Sequence, residues 1–80
     1  MSPSEFSRAL ANRLRNLREK SGLSQESVAH QAGISAYTYQ KFEKGESKPG
    51  TPMNPRLFTL LALSDVFGID VRDLLAVDEE

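Results

Sequence analysis

The 80-residue sequence contains no cysteine, which removes two ways of stabilising a small chain. Without thiols there is neither a disulfide framework nor a thiolate metal site, so the fold must rest on its apolar core, and a reducing cytoplasm suits it. Histidine is nearly missing as well. His30 stands alone, with Glu26 four residues before it and no third ligand close by, so it cannot build a usual zinc set and reads as a solvated side chain on the outer face of its helix. The same scarcity argues against an enzyme, and neither a metal nor a cofactor is expected. Long apolar runs are also lacking. Stretches such as Leu60-Leu61-Ala62-Leu63 fall far short of the roughly 20 residues a membrane-spanning helix needs. The chain does not open with a basic segment and an apolar run, so the expectation is a cytoplasmic protein without a membrane partner.

Valine and isoleucine occur singly rather than in alternation, and no strand is expected. Charge is close to balanced overall but unevenly spread. Residues 1 to 48 hold eight Lys/Arg against five Asp/Glu, whereas residues 49 to 80 hold two against six, giving one basic part and one acidic end within a formal net charge of -1. A basic part is what a nucleic-acid partner requires, although an ordinary solvated surface fits the same numbers.

What the sequence does contain is helix punctuation. Ser2-Pro3-Ser4-Glu5 has the form of a capping box with proline in the first helical position, and Phe6, Leu10, Leu14 and Leu17 follow at helical spacing up to Gly22. Ser24 and Ser35 are N-caps for a second and a third helix, each preceded by an apolar residue, Leu23 or Ile34, placed to pack against Val28 or Tyr39. Gly33 and Gly45 end these two helices. Asn54-Pro55 predicts the start of a fourth helix whose buried face is Leu57, Leu60, Leu61, Ser64 and Phe67, ending at Gly68. Asp70 caps a fifth, with Ile69 and Leu74 as its apolar pair, before the acidic tail Asp78-Glu79-Glu80 frays. The fold class is therefore all-α, a compact bundle of five short helices in one domain over residues 1–80, with 45–55 as an extended loop.

The most informative segment is Ser24 to Gly45, two short capped helices joined by a very tight turn at Gly33. Val28 and Ala32 on one helix and Tyr39 and Phe42 on the other form inward faces that pack only if the helices cross steeply, and small Ala29 permits the close approach. Spacing to Phe42 puts Tyr39 inward and Tyr37 outward. Inward, the Tyr39 hydroxyl needs a partner or a path to water.

These features, together with LRNLREKSGLSQ at residues 14–25, Phe42-Glu43-Lys44-Gly45 and FGIDVRDLL at residues 67–75, resemble the lambda-repressor-like helix-turn-helix family, also called Cro/CI or XRE, over about residues 10–76. The resemblance implies a DNA-binding transcription regulator, a repressor, whose third helix, residues 36–44, enters the major groove of a double-stranded operator. It places Ser35, Ala36, Tyr37 and Gln40 at base edges and Gln25, Thr38, Lys41 and Lys44 at backbone phosphates, with Lys48 in the long loop as a further phosphate contact. Side-chain chemistry agrees, since Gln suits a bidentate bond to adenine, an alanine methyl suits thymine, and lysine serves phosphate as a point charge. The resemblance also pairs Arg18 with Glu43 as a structural link. It implies a homodimer, for which the apolar surface of the last two helices near Val71, Leu75 and Val77 is the expected interface. Two alternatives keep the fold and change the function: an antitoxin holding a protein partner, and an interaction module that has lost DNA.

Overall fold

The computed structural model describes residues 1–77, so the acidic Asp78-Glu79-Glu80 end lies outside the described residues. Along the chain run α1 (Pro3–Ser21), α2 (Gln25–Ala32), α3 (Ala36–Lys44), a short hairpin of β1 (Glu46–Lys48) and β2 (Thr51–Pro52), then α4 (Leu57–Val66) and α5 (Val71–Leu75). The capping box at the start of α1 is complete. Ser2 Oγ accepts the Glu5 N–H at 3.2 Å, and Glu5 Oε1 accepts the Ser2 N–H at 2.8 Å. That reciprocity satisfies two of the orphan donors every helix start carries.

Each helix contributes one face to a single cluster: Leu10 and Leu14 from α1, Val28 and Ala29 from α2, Tyr39 and Phe42 from α3, Leu60 and Leu63 from α4, and Leu74 from α5. Phe6 and Leu17, at the ends of the α1 stripe, are only partly covered, as are Leu23, Ile34 and Ile69, which precede the N-caps and pack against the cluster from outside. α3 packs against both α1 and α2, while α4 lies on α2 and α5 bridges α1 and α4. Arg13 fastens the last of these contacts, its Nη2 donating to Asp73 O at 3.2 Å.

The expectations fail in two places. Residues 45–55 are not a plain loop: Glu46 pairs with Pro52 and Lys48 with Thr51 in an antiparallel hairpin whose turn runs through Pro49 and Gly50. Strands of three and two residues are too short to show an alternating pattern. Tertiary bonds hold them instead. Met53 N–H donates to Gly45 O at 2.9 Å, and the buried Ser7 Oγ donates to Met53 O at 2.7 Å. This anchoring keeps the chain extended beyond Asn54-Pro55, so α4 starts at Leu57 with Arg56 as an N-cap that makes no side-chain bond.

The buried face of α4 also differs. Leu60, Leu63 and Ser64 are buried and Phe67 is half-buried, but Leu57 and Leu61 face solvent. α4 is apolar almost all round, and a helix without a polar face gives periodicity nothing with which to choose a buried side. Among the described residues, no helix is long and apolar enough to cross a membrane and no group of three metal-ligating side chains occurs.

Candidate nucleic-acid interface

Between α2 and α3 lie only Gly33, Ile34 and Ser35. Gly33 has φ +74°, a left-handed conformation that costs a side-chain-bearing residue about 1–2 kcal/mol. Its N–H donates to His30 O at 3.1 Å, and Ile34 N–H donates to Ala29 O at 3.0 Å, closing the last turn of α2. Ser35 then starts α3 by accepting the Thr38 N–H at 3.0 Å. Against the Val28-Ala29 face of α2, α3 turns Tyr39, fully buried, and Phe42, whose rings meet edge to face with centroids 6.5 Å apart. Burying residues 39, 42 and 43 leaves residues 37, 40, 41 and 44 as one outward stripe at the i, i+3, i+4, i+7 spacing of a helix.

Along that stripe Tyr37 is 69% exposed, and Gln40 and Lys44 are open to solvent. Lys41 is half-buried, with Nζ 4.3 Å from the centre of the Tyr37 ring in a cation–π contact. The remaining sequence-derived candidates are less free. The Ser35 hydroxyl both caps α3 and donates to Thr38 Oγ1 at 2.8 Å, Ala36 is half-buried against the core, and Gln25 is half-buried with its amide donating to Glu43 Oε1 at 3.0 Å. Lys48 stands exposed on β1. The structure thus brings Tyr37, Gln40, Lys41 and Lys44 onto one face, with Ser35 at its start and Lys48 beyond its end.

The stripe is held in place by the charges behind it. Glu43, 4% exposed, receives Arg18 Nε at 2.7 Å and Arg18 Nη2 at 3.2 Å in a bidentate pair, alongside the Gln25 amide. Arg18 Nη1 also donates to Leu23 O at 3.1 Å, so one guanidinium links α1, the entry to α2, and α3. Burial pushes the Glu43 carboxyl upward, but the bonds from Arg18 and Gln25 outweigh it and hold the group below the usual carboxylate range. Tyr39 lies beside the same cluster, yet its hydroxyl meets no partner in hydrogen-bond geometry. Burial, reinforced by the neighbouring Glu43 charge, raises the phenol far above its ordinary pKa.

One positioning residue carries no sequence signal. Arg15 Nη2 donates to the Glu43 carbonyl at 2.7 Å, satisfying an orphan acceptor in the last turn of α3 across 28 positions of chain. The Tyr37–Lys41 contact is legible in principle, because aromatic and lysine at i, i+4 share a helix face.

Known proteins can be set beside this geometry. A family profile described as a helix-turn-helix domain matches residues 9–77. The chain is 39% identical over 66 residues to the HTH-type transcriptional regulator DdrOP3 of Deinococcus deserti, covering 82% of this chain and 46% of that protein. It is 30% identical over 69 residues to the cryptic phage CTXphi transcriptional repressor RstR of Vibrio cholerae, covering 86% of this chain and 57% of that one. It therefore spans about half the length of these two regulators. Among solved structures, the restriction-modification controller protein C.AhdI from Aeromonas hydrophila superposes with a TM-score of 0.74 at 31% identity, covering 85% of this chain and 94% of its own. A tight turn between two capped helices, an outward polar stripe and these likenesses agree: the chain belongs to the helix-turn-helix domain family, in its lambda-repressor-like Cro/CI and XRE branch.

Proposed function

We propose that this chain is a sequence-specific transcription regulator of the repressor type that binds double-stranded DNA and lays α3 in the major groove. The observation carrying the proposal is the outward stripe Tyr37, Gln40, Lys41 and Lys44 on a helix whose other side is fixed by Tyr39, Phe42 and the Arg18–Glu43 pair. A base-reading helix needs this division, with side chains free to meet base edges on a backbone that does not move. Tyr37 and Gln40, with Ser35 and Ala36 at the helix start, face bases. Lys41, Lys44 and Lys48 supply phosphate charge, joined by Thr38 and by the N–H groups at the start of α2, where Gln25 lies. The regulator DdrOP3 and the repressor RstR, both similar in sequence, support the regulatory role.

We further propose that the chain acts as a homodimer, on a surface shifted from the one expected. Val71, Leu75 and Val77 are half-buried, and Val71 and Leu75 already pack against the core. The open apolar area is on α4, where Leu57 is 62%, Phe58 80% and Leu61 39% exposed along one side. A second copy covering this face removes three large apolar side chains from water, and Phe58→Glu is expected to leave a folded monomer in light scattering.

Selection of bound sequences from random duplex DNA at stated salt tests the function. The expected product is a two-part site with half-site centres about one helical turn apart, roughly 34 Å. A pool that never enriches rejects the proposal.

A further inference from the structure

Where α1 passes the hairpin, a cavity of about 270 Å³ opens to solvent, lined by Ser4 and Arg8 of α1, Lys44 and Gly45 at the end of α3, and Glu46, Gly50 and Pro52 of the hairpin. Its walls are set by close packing. A Cβ on Gly45 would lie 3.2 Å from Ser7 O, tighter than ordinary contact, so a side chain there would push the end of α3 away from α1, and the Ser7–Met53 hydrogen bond fixes the hairpin beside it. Ser4 and Arg8, four residues apart, share one face of α1. Lys44 is the last member of the outward stripe of α3, so the stripe runs on into this cleft.

The electrostatics of the cleft favour an anion. Among the described residues, the carboxylates within 4 Å of an arginine or lysine belong to the pairs Arg18–Glu43 and Arg72–Asp70, which leaves Arg8 and Lys44 exposed without one. Glu46 is the single acidic residue lining the cleft, and it directs one oxygen to the Gly50 N–H at 3.2 Å. Glu5, one turn before Arg8, accepts the Ser2 N–H and feels the Arg8 charge from beyond ion-pair distance. Two cations, one committed carboxylate and a serine hydroxyl supply the polar groups of this site, and Pro52 and the stems of the long side chains supply its apolar wall. Its volume lies just below the roughly 300–1,000 Å³ of small-molecule clefts. This composition suits a single phosphodiester group, which arginine holds through parallel N–H bonds.

We propose that the α1–hairpin cleft receives a backbone phosphate of the bound duplex, held by Arg8 and Lys44, so that α1 extends the DNA interface beyond α3. The inference rests on the DNA-binding reading above. A phosphate there fixes register without reading sequence, because every step of a duplex offers the same group.

Binding of the wild-type chain, Arg8→Ala, Glu46→Gln and Lys41→Ala to a selected and a mixed-sequence duplex over a range of salt tests it, with free inorganic phosphate titrated into the DNA-free protein as a separate arm. Arg8→Ala is expected to weaken both duplexes alike and to reduce the slope of log K against log salt by about 0.9, the loss of one phosphate contact, equivalent to about fivefold at 0.15 M salt. Glu46→Gln, which removes the opposing charge and leaves both cations in place, is expected to strengthen both. Unchanged affinity and slope in Arg8→Ala, while Lys41→Ala still weakens binding, overturns this inference and leaves the function standing. Saturable phosphate binding at Arg8 with no effect of Arg8→Ala on either duplex also overturns it, assigning the cleft to a free anion. A wild-type chain that binds neither duplex defeats both readings.

Discussion

Replacing Glu43 by alanine is expected to cost this protein about 3 kcal/mol of stability. The carboxylate is 4% exposed and accepts three hydrogen bonds, two from Arg18 and one from Gln25. Its loss leaves an arginine side chain only 18% exposed without a counter-charge. Breaking one partner of a buried pair costs about 3–5 kcal/mol, and the low end applies because Arg18 keeps its bond to Leu23 O and an edge in water. Domains of this length are stable by about 4–12 kcal/mol, so the loss is a large share of the total, and the melting temperature is expected to fall by about 12–24 °C. Urea unfolding followed by far-ultraviolet circular dichroism at neutral pH measures it. Glu43→Gln, which keeps shape and one acceptor, should fall between the two. An Arg18→Met, Glu43→Leu double variant should lose less than Glu43→Ala, because it buries no lone charge. The acid limb gives a second check. A carboxyl held below its usual 4.5 contributes stability that is fully present above that value and disappears as pH falls through the lower, folded-state value. Wild type and Glu43→Gln should therefore converge in acid. A cost under about 1 kcal/mol with an unchanged urea slope would refute the argument, since that is the range of a solvent-screened surface pair.

Tyr39→Phe removes a buried hydroxyl that has no hydrogen-bond partner, so it should leave stability unchanged or raise it by up to about 1 kcal/mol in the same unfolding assay. Because the phenol's pKa is raised in the folded state, wild type should lose stability relative to this variant as pH climbs above 10, where the unfolded tyrosine ionises. Gly45→Ala should destabilise more than Gly50→Ala: both have positive φ, but only at Gly45 does a Cβ meet backbone, 3.2 Å from Ser7 O, and the excess is readable as a difference in urea midpoint. Gln40→Ala should cost about 1–3 kcal/mol on the selected site and relax preference at one base pair, whereas Lys41→Ala should weaken all duplexes alike in a fluorescence binding assay.

Much of the fold could be read from capping chemistry, because caps act locally. Ser2, Ser24, Ser35 and Asp70 all serve as N-caps, and Gly22, Gly33 and Gly45 all end helices with positive φ. The inward Tyr39 and outward Tyr37 follow from spacing alone. What could not be read depends on distant parts of the chain. The hairpin exists because Ser7 and Gly45 hold Met53, contacts that no local pattern records. α4 begins at Leu57 instead of Asn54-Pro55 for the same reason, and its buried side stayed hidden because nearly every side of it is apolar. At the candidate interface, spacing to Phe42 set Tyr37 outward, and the family resemblance supplied Gln40, Lys41 and Lys44. The commitment of the Gln25 amide to Glu43 and the Arg15 bond to the Glu43 carbonyl were not legible, since each joins elements far apart in sequence.

The central claim is that the outward face of α3 meets the duplex. Titrating a selected duplex into isotope-labelled protein and following side-chain and amide resonances by NMR tests it most directly. The largest shifts are expected at Tyr37, Gln40, Lys41 and Lys44, with smaller ones at Ser35 and Lys48. Shifts concentrated on α4 and α5, with the α3 stripe unmoved at saturation, would contradict the account.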